Sequence, residues 1–124
     1  MKIVSIIPRG LLGLAFLIFG LNPFLHFFPM PPPPATLAGD FSKALFVSHY
    51  FYVVAGLQIA GGALLLIGRF VPLGLLLLGP VIVNILLFHI FLDRSSLPIA
   101  IVTSALDLVV LWQHRQSFAP LLKP

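Results

Sequence analysis

Apolar residues fill this chain in four long runs, and the polar residues that interrupt them mark where each run must turn. The first run, "VSIIPRGLLGLAFLIFGLNPFLHFF", follows Lys2 and carries Arg9 near its start. It gives way to "PMPPPPATLAGD", in which each proline lacks an amide hydrogen and biases its predecessor toward extended geometry. The pattern predicts a helix over about 5–27 and then a short polyproline II loop. Asp40 can offer a side-chain oxygen to the following turn, so "FSKALF" is expected to begin a short helix with Asp40 as its N-cap. That helix leads into a second span, about 46–68, containing "FYVVAGLQIAGGALLLIG".

Arg69 and Pro72 mark a tight turn, and Pro72 suits the first turn of a third helix over about 72–92. Pro80 falls inside that helix, where a kink is expected. "DRSSLP" is the next turn, "IAIVTSALDLVVLWQH" the fourth span over about 97–115, and "RQSFAPLLKP" a short tail. A bilayer span needs about 20 mostly apolar residues. The expected fold is therefore all-α, a four-transmembrane-helix bundle in a single domain over residues 1–124.

Composition supports this reading, with 60% of the 124 residues hydrophobic and 8% charged, against roughly 25% charged in a soluble domain. The first run is not read as a secretory signal, because Arg9 interrupts it, it is too long, and no small-x-small cleavage site follows. The formal charge of +4 comes from singly scattered Lys and Arg rather than a basic face, which excludes nucleic acid as a partner. Lys2, Arg9, Arg69, Arg115 and Lys123 fall on one side of a four-span topology, whereas Lys43 and Arg94 fall on the other beside Asp40 and Asp93. The positive-inside rule then places both termini in the cytoplasm and the proline-rich loop outside. With no cysteine, disulfides, thiolate metal sites and thiol redox chemistry are excluded.

The rare polar residues inside the spans are the candidate chemistry. Counting 1.5 Å per residue from the cytoplasmic helix ends puts Gln58 roughly 16 Å deep, Asn84 roughly 18 Å and Asp107 roughly 12 Å. An ionised Asp at mid-membrane costs at least about 2.5–3.5 kcal/mol, so these three are expected to pair as an intramembrane polar cluster. Gln58 shares a helical face with Ala55, Gly61 and Gly62, and Asp107 with Ala100, Thr103 and Ser104; such small residues let helices approach closely. The cluster reads either as interhelical glue or as a ligand or proton site. His89 lies further out, roughly 25 Å from the inner end of its helix, level with Asn22 and near His26, His49, Asp93 and Arg94. His89 and Asp93 share a face, so the carboxylate could accept the ring N–H. Because positions 84 and 89 are about 140° apart on a helix, Asn84 is expected to meet Gln58 or Asp107, and His89 the first-loop side.

These residues outline a candidate outer pocket of Asn22, His26, His49, Tyr52, Phe88, His89 and Asp93, suited to a ring with carbonyl acceptors. The alternative is that they are separate helix-to-helix hydrogen bonds. No HxxxH or ExxH spacing supports a metal, and none is assigned.

Taken whole, the chain resembles the DoxX family of small four-helix membrane proteins over nearly its full length. The resemblance is carried by "RGLLGLAFLIFGLNPFLHFFPMPPPP", by "GLQIAGGALLLIGRFVPLGLLLLGPVIVNILLFHIFLD" and by "ALDLVVLWQHR". Two positions depart from it: Gln58 stands where many relatives have Glu, and Pro23 where Lys commonly follows the Asn. The resemblance implies a multi-pass protein of the bacterial inner membrane, associated with quinone-dependent sulfur oxidation and redox-stress complexes. The function expected on that basis is an accessory or scaffolding subunit of a quinone-linked respiratory or photosynthetic electron-transfer complex. The alternative is an independent membrane oxidoreductase or carrier that binds quinone or another small amphiphile. No catalytic constellation is visible, no cofactor is fixed beyond quinone as a candidate, and the expected partners are the lipid bilayer and a larger membrane complex or further copies of the chain.

Overall fold

Four helices of the computed structural model are long and apolar enough to cross a bilayer. The structure describes residues 2–26, 32 and 34–124, and among them every regular element is helical. The spanning helices are α1 (Lys2–Leu25), α3 (Tyr50–Ile67), α4 (Val71–Phe91) and α5 (Leu97–Gln113). A short α2 (Leu37–Val47) precedes α3, and a single turn, α6 (Arg115–Phe118), follows α5. Helices suit such apolar runs because each satisfies its backbone N–H and C=O groups internally, which hydrocarbon requires.

The four long helices close a ring in which α1 packs on α3 and α5, and α4 packs on α3 and α5. α2 lies outside the ring against α3. Leu12 and Phe16 of α1, Leu65 of α3, Val71, Leu75, Leu78, Val81 and Ile82 of α4, and Val110 of α5 form the core.

Two adjacent glycines of α3 serve two interfaces. A Cβ on Gly62 would lie 2.7 Å from the Gly13 carbonyl oxygen, and one on Gly13 would lie 2.7 Å from that of Gly62, so α1 and α3 cross backbone to backbone. Gly61 faces the other way: its Cβ would meet Leu78 Cγ at 2.6 Å and the Gly74 oxygen at 3.1 Å on α4. Close approach of this kind strengthens dispersion contacts where no hydrophobic effect drives helices together.

Arg9 also holds a helix end. Its Nη1 donates to the Leu65 carbonyl at 2.8 Å, in the last turn of α3, where carbonyls lack intrahelical partners and a cation is favoured. Gly68 follows in the left-handed region, with φ of 83°. Among the described residues, non-glycine residues with positive φ stand at three other junctions: His26 (56°), His49 (65°) and Phe70 (55°).

Several boundaries differ from the sequence expectation. The first helix ends at Leu25 rather than near 27, with the left-handed His26 donating its N–H to the Asn22 carbonyl at 2.8 Å. The N-cap of α2 is Thr36, whose side chain accepts from the Gly39 N–H at 3.2 Å. Asp40 sits instead in the first turn, where its charge complements the helix dipole. The expected second span is divided at Ser48 and His49 into α2 and α3. The polyproline II reading of residues 29–34 lies outside the described residues except for Pro32 and Pro34.

Candidate functional site: a groove between α2, α3 and α4

Because α2 rests on α3 while Phe41 reaches across to Phe88 of α4, with ring centroids 5.5 Å apart, the three helices bound a groove of about 700 Å³. From α2 come Phe41, Ser42, Ala44 and Leu45, with Ser48 at its end; from α3 come Tyr50, Phe51, Val53, Val54, Leu57 and Gln58. α4 contributes Pro80, Val81, Asn84, Ile85, Phe88 and His89, which repeat at the spacing of a helical stripe. Phe46 and Phe51, 4.5 Å apart, stiffen the α2–α3 side. The lining is predominantly aliphatic and aromatic, with a few polar atoms, as small-molecule sites commonly are.

The polar atoms in this groove have defined states. Gln58 is only 7% exposed, and its Oε1 is buried without a hydrogen-bond partner. Asn84 donates from Nδ2 to the Pro80 carbonyl at 2.8 Å. His89 places Nδ1 2.8 Å from the Ile85 carbonyl, and since a carbonyl cannot donate, Nδ1 carries the hydrogen of that bond. Ser48 is internally engaged, donating to the Leu45 carbonyl and accepting from the Tyr50 N–H, both at 3.3 Å.

Two expectations about pairing are corrected. Among the described residues no hydrogen bond joins Gln58, Asn84 and Asp107; Asn84 bonds a carbonyl one turn back in its own helix, which is the nearest acceptor available to it. His89 does not bond Asp93. The Asp93 carboxylate instead accepts from the Ser95 N–H at 3.0 Å and from the Ser95 hydroxyl at 2.5 Å, capping the turn Arg94–Ser96. The Ser95 hydroxyl and then its N–H hold the Asp93 carboxyl below the usual carboxylate range, while His89 adds a weaker attraction. Asn84 and His89, expected to meet different neighbours, border the same groove.

No protein-family model, curated protein or solved structure matches this chain.

The outer residues named from the sequence therefore divide. Phe88 and His89 line the groove. Tyr52 stacks with His49 at 5.7 Å and tilts against Phe24 at 5.3 Å, outside the groove lining. Asn22 is buried at 9% exposure, away from the groove, and His26 is exposed at the end of α1. Asp107 is half-buried on α5. No group of three His, Cys, Asp or Glu side chains among the described residues could hold a metal ion. Sequence reasoning missed the contribution of α2 to the groove, because nothing in the run from Phe41 to Ser48 says which neighbouring helix it will rest on.

Proposed function

We propose that this is a DoxX-like protein of the bacterial inner membrane that holds a small amphiphilic molecule in the groove between α2, α3 and α4. The observation that carries the reading is the groove itself, an apolar trough of about 700 Å³ with Gln58, Asn84 and His89 among its lining residues. Both termini are assigned to the cytoplasm by the excess of Lys and Arg there, which sets the proline-rich loop outside and the His89 end of the groove toward the outer leaflet. A quinone-like ring on an isoprenoid chain is of the right general shape.

The test is occupancy. Full-length protein purified in mild detergent is expected to carry a stoichiometric amphiphile visible by native mass spectrometry. Leu57→Trp, which fills the groove, should remove it, whereas Leu121→Trp, in the tail, should not. Retention of the ligand by the groove-filled variant refutes the assignment.

A second reading, an accessory subunit of a membrane electron-transfer complex, is favoured by α5, the least buried of the four spans. Its Ile101, Leu108 and Trp112 are exposed and face lipid or another chain. Recovery of a stoichiometric larger partner in the same purification supports this reading; a lone chain or homo-oligomer with bound amphiphile supports the first.

A further inference from the structure

We infer that the corner where α5 turns into α6 seats the phosphodiester of an anionic phospholipid, with one acyl chain lying along α5. This corner shares no lining residue with the groove and does not depend on the amphiphile reading. Ile101, Ala105, Leu108 and Trp112 recur at helical spacing and are all exposed, so they form one apolar stripe on the least buried span. From Ile101 to Trp112 the stripe runs about 16 Å at 1.5 Å per residue, close to one leaflet's share of a hydrocarbon core about 30 Å thick. It ends beside Arg115, whose guanidinium carbon lies 4.3 Å from the Trp112 ring centroid. An exposed Trp sits at the headgroup level of a bilayer, so the stacked cation is held at the depth of lipid phosphates.

The C-terminal end of a helix ordinarily repels anions, because its last carbonyls lack partners. Here those carbonyls are covered. Val110 accepts from the His114 ring at 3.0 Å, Leu111 from the His114 N–H at 3.1 Å and Trp112 from Arg115 Nη1 at 2.8 Å. The guanidinium keeps further N–H groups for a ligand, and Arg115 lines a polar cavity of about 360 Å³ with Gln113, His114, Gln116 and Ser117. The surrounding charge has one sign: this end of the bundle collects Lys2, Arg9, Arg69, Arg115 and Lys123, while Asp40 and Asp93 stand at the other end and Asp107 within α5. A net-negative headgroup is attracted there, and the ammonium of a zwitterionic lipid is not.

Trp112 is the chain's one Trp, so its fluorescence reports this corner. Full-length protein is reconstituted in vesicles of phosphatidylcholine and phosphatidylglycerol, with bromine on the acyl chains of one lipid and then of the other, each normalised to the same mixture without bromine. Quenching is expected to give phosphatidylglycerol about a five-fold advantage at Trp112, the effect of roughly one cation at a membrane surface. Arg115→Gln should abolish that advantage and Arg115→Lys, which keeps the charge, should retain most of it. Arg69→Gln removes an exposed cation from the α3–α4 turn at the same end and should leave the advantage in place. Equal quenching by the two lipids in the parent, a loss in Arg69→Gln as large as in Arg115→Gln, or no quenching by either lipid because another chain covers Trp112 overturns the inference. So does relief of quenching by inorganic phosphate beyond that by chloride at equal ionic strength, which would assign the cavity to a free anion.

Discussion

Replacing Gly62 by alanine tests whether the α1–α3 crossing holds the bundle together. The new Cβ would sit 2.7 Å from both the Gly13 carbonyl oxygen and the Leu17 amide nitrogen. Both are backbone atoms, so no side chain can swing aside. Ordinary contact begins at 3.4 Å, and the helices must therefore separate locally by about 0.7 Å, the difference between those distances. A gap of roughly 0.5–1 Å forfeits a quarter to a half of the dispersion attraction across it, and overpacking a tight site costs typically about 1–3 kcal/mol. The expected loss is about 2 kcal/mol. Gly56→Ala is the internal control, since nothing lies within 4 Å of its added Cβ and alanine in a helix gains roughly 0.5–1 kcal/mol over glycine. Reversible unfolding in mixed dodecyl sulfate micelles should thus separate the two variants by about 2–3 kcal/mol. A separation under about 0.5 kcal/mol would mean that the close crossing contributes nothing, and the packing argument would fail.

Other outcomes follow from single contacts. Arg9→Ala leaves the Leu65 carbonyl without its guanidinium donor and should cost about 1.5–3 kcal/mol in the same unfolding assay, with Arg9→Lys retaining part of it; an unchanged Arg9→Ala shows the bond to be idle. Phe70→Gly should gain about 1–2 kcal/mol by relieving a left-handed φ of 55°, and a loss instead would show that the exposed ring contributes more than the backbone costs. Because the folded Asp93 carboxyl titrates below its unfolded value, its hydrogen bonds to Ser95 contribute in full above the ordinary carboxylate range and are lost as pH falls through the lower folded value. A carbon-detected NMR titration should show this depressed midpoint, and Ser95→Ala should move it back up; a midpoint that ignores the substitution refutes the cause.

The four spans were legible because hydrocarbon imposes a long apolar run on any helix that crosses it, and Pro72 marked the start of α4 within a residue. The division at Ser48 and His49 was not legible, since a left-handed histidine looks like any other histidine in a sequence. Nor was the Thr36 cap, hidden behind the proline tract and in competition with Asp40. Counting residues along the helices set Gln58 and Asn84 at similar levels and His89 further along, and all three line one groove, whereas Asp107, expected in the same cluster, does not. Partnership was not legible, because angular separation along one helix does not say how far a neighbouring helix wraps around it. α2 and α3 together cover enough of α4 to bring Asn84 and His89, 140° apart on an ideal helix, into one trough.

Asn84, His89, Thr103 and His114 each bond the carbonyl four residues earlier in their own helix. A span that quiets its polar side chains locally does not have to wait for a neighbour before it leaves water. Insertion and assembly are then separable events for α4, whose Asn84 and His89 are both satisfied within the helix, and the later step is the search for the bundle's close crossings. An α4 peptide over residues 69–94 should accordingly adopt a transmembrane orientation in vesicles without the rest of the chain, as read by oriented circular dichroism, and a peptide that stays at the surface would contradict this order. Mutations at the glycine crossing would accordingly yield protein that is integrated in the membrane but unassembled, a defect visible to quality-control proteases and silent in any assay of insertion.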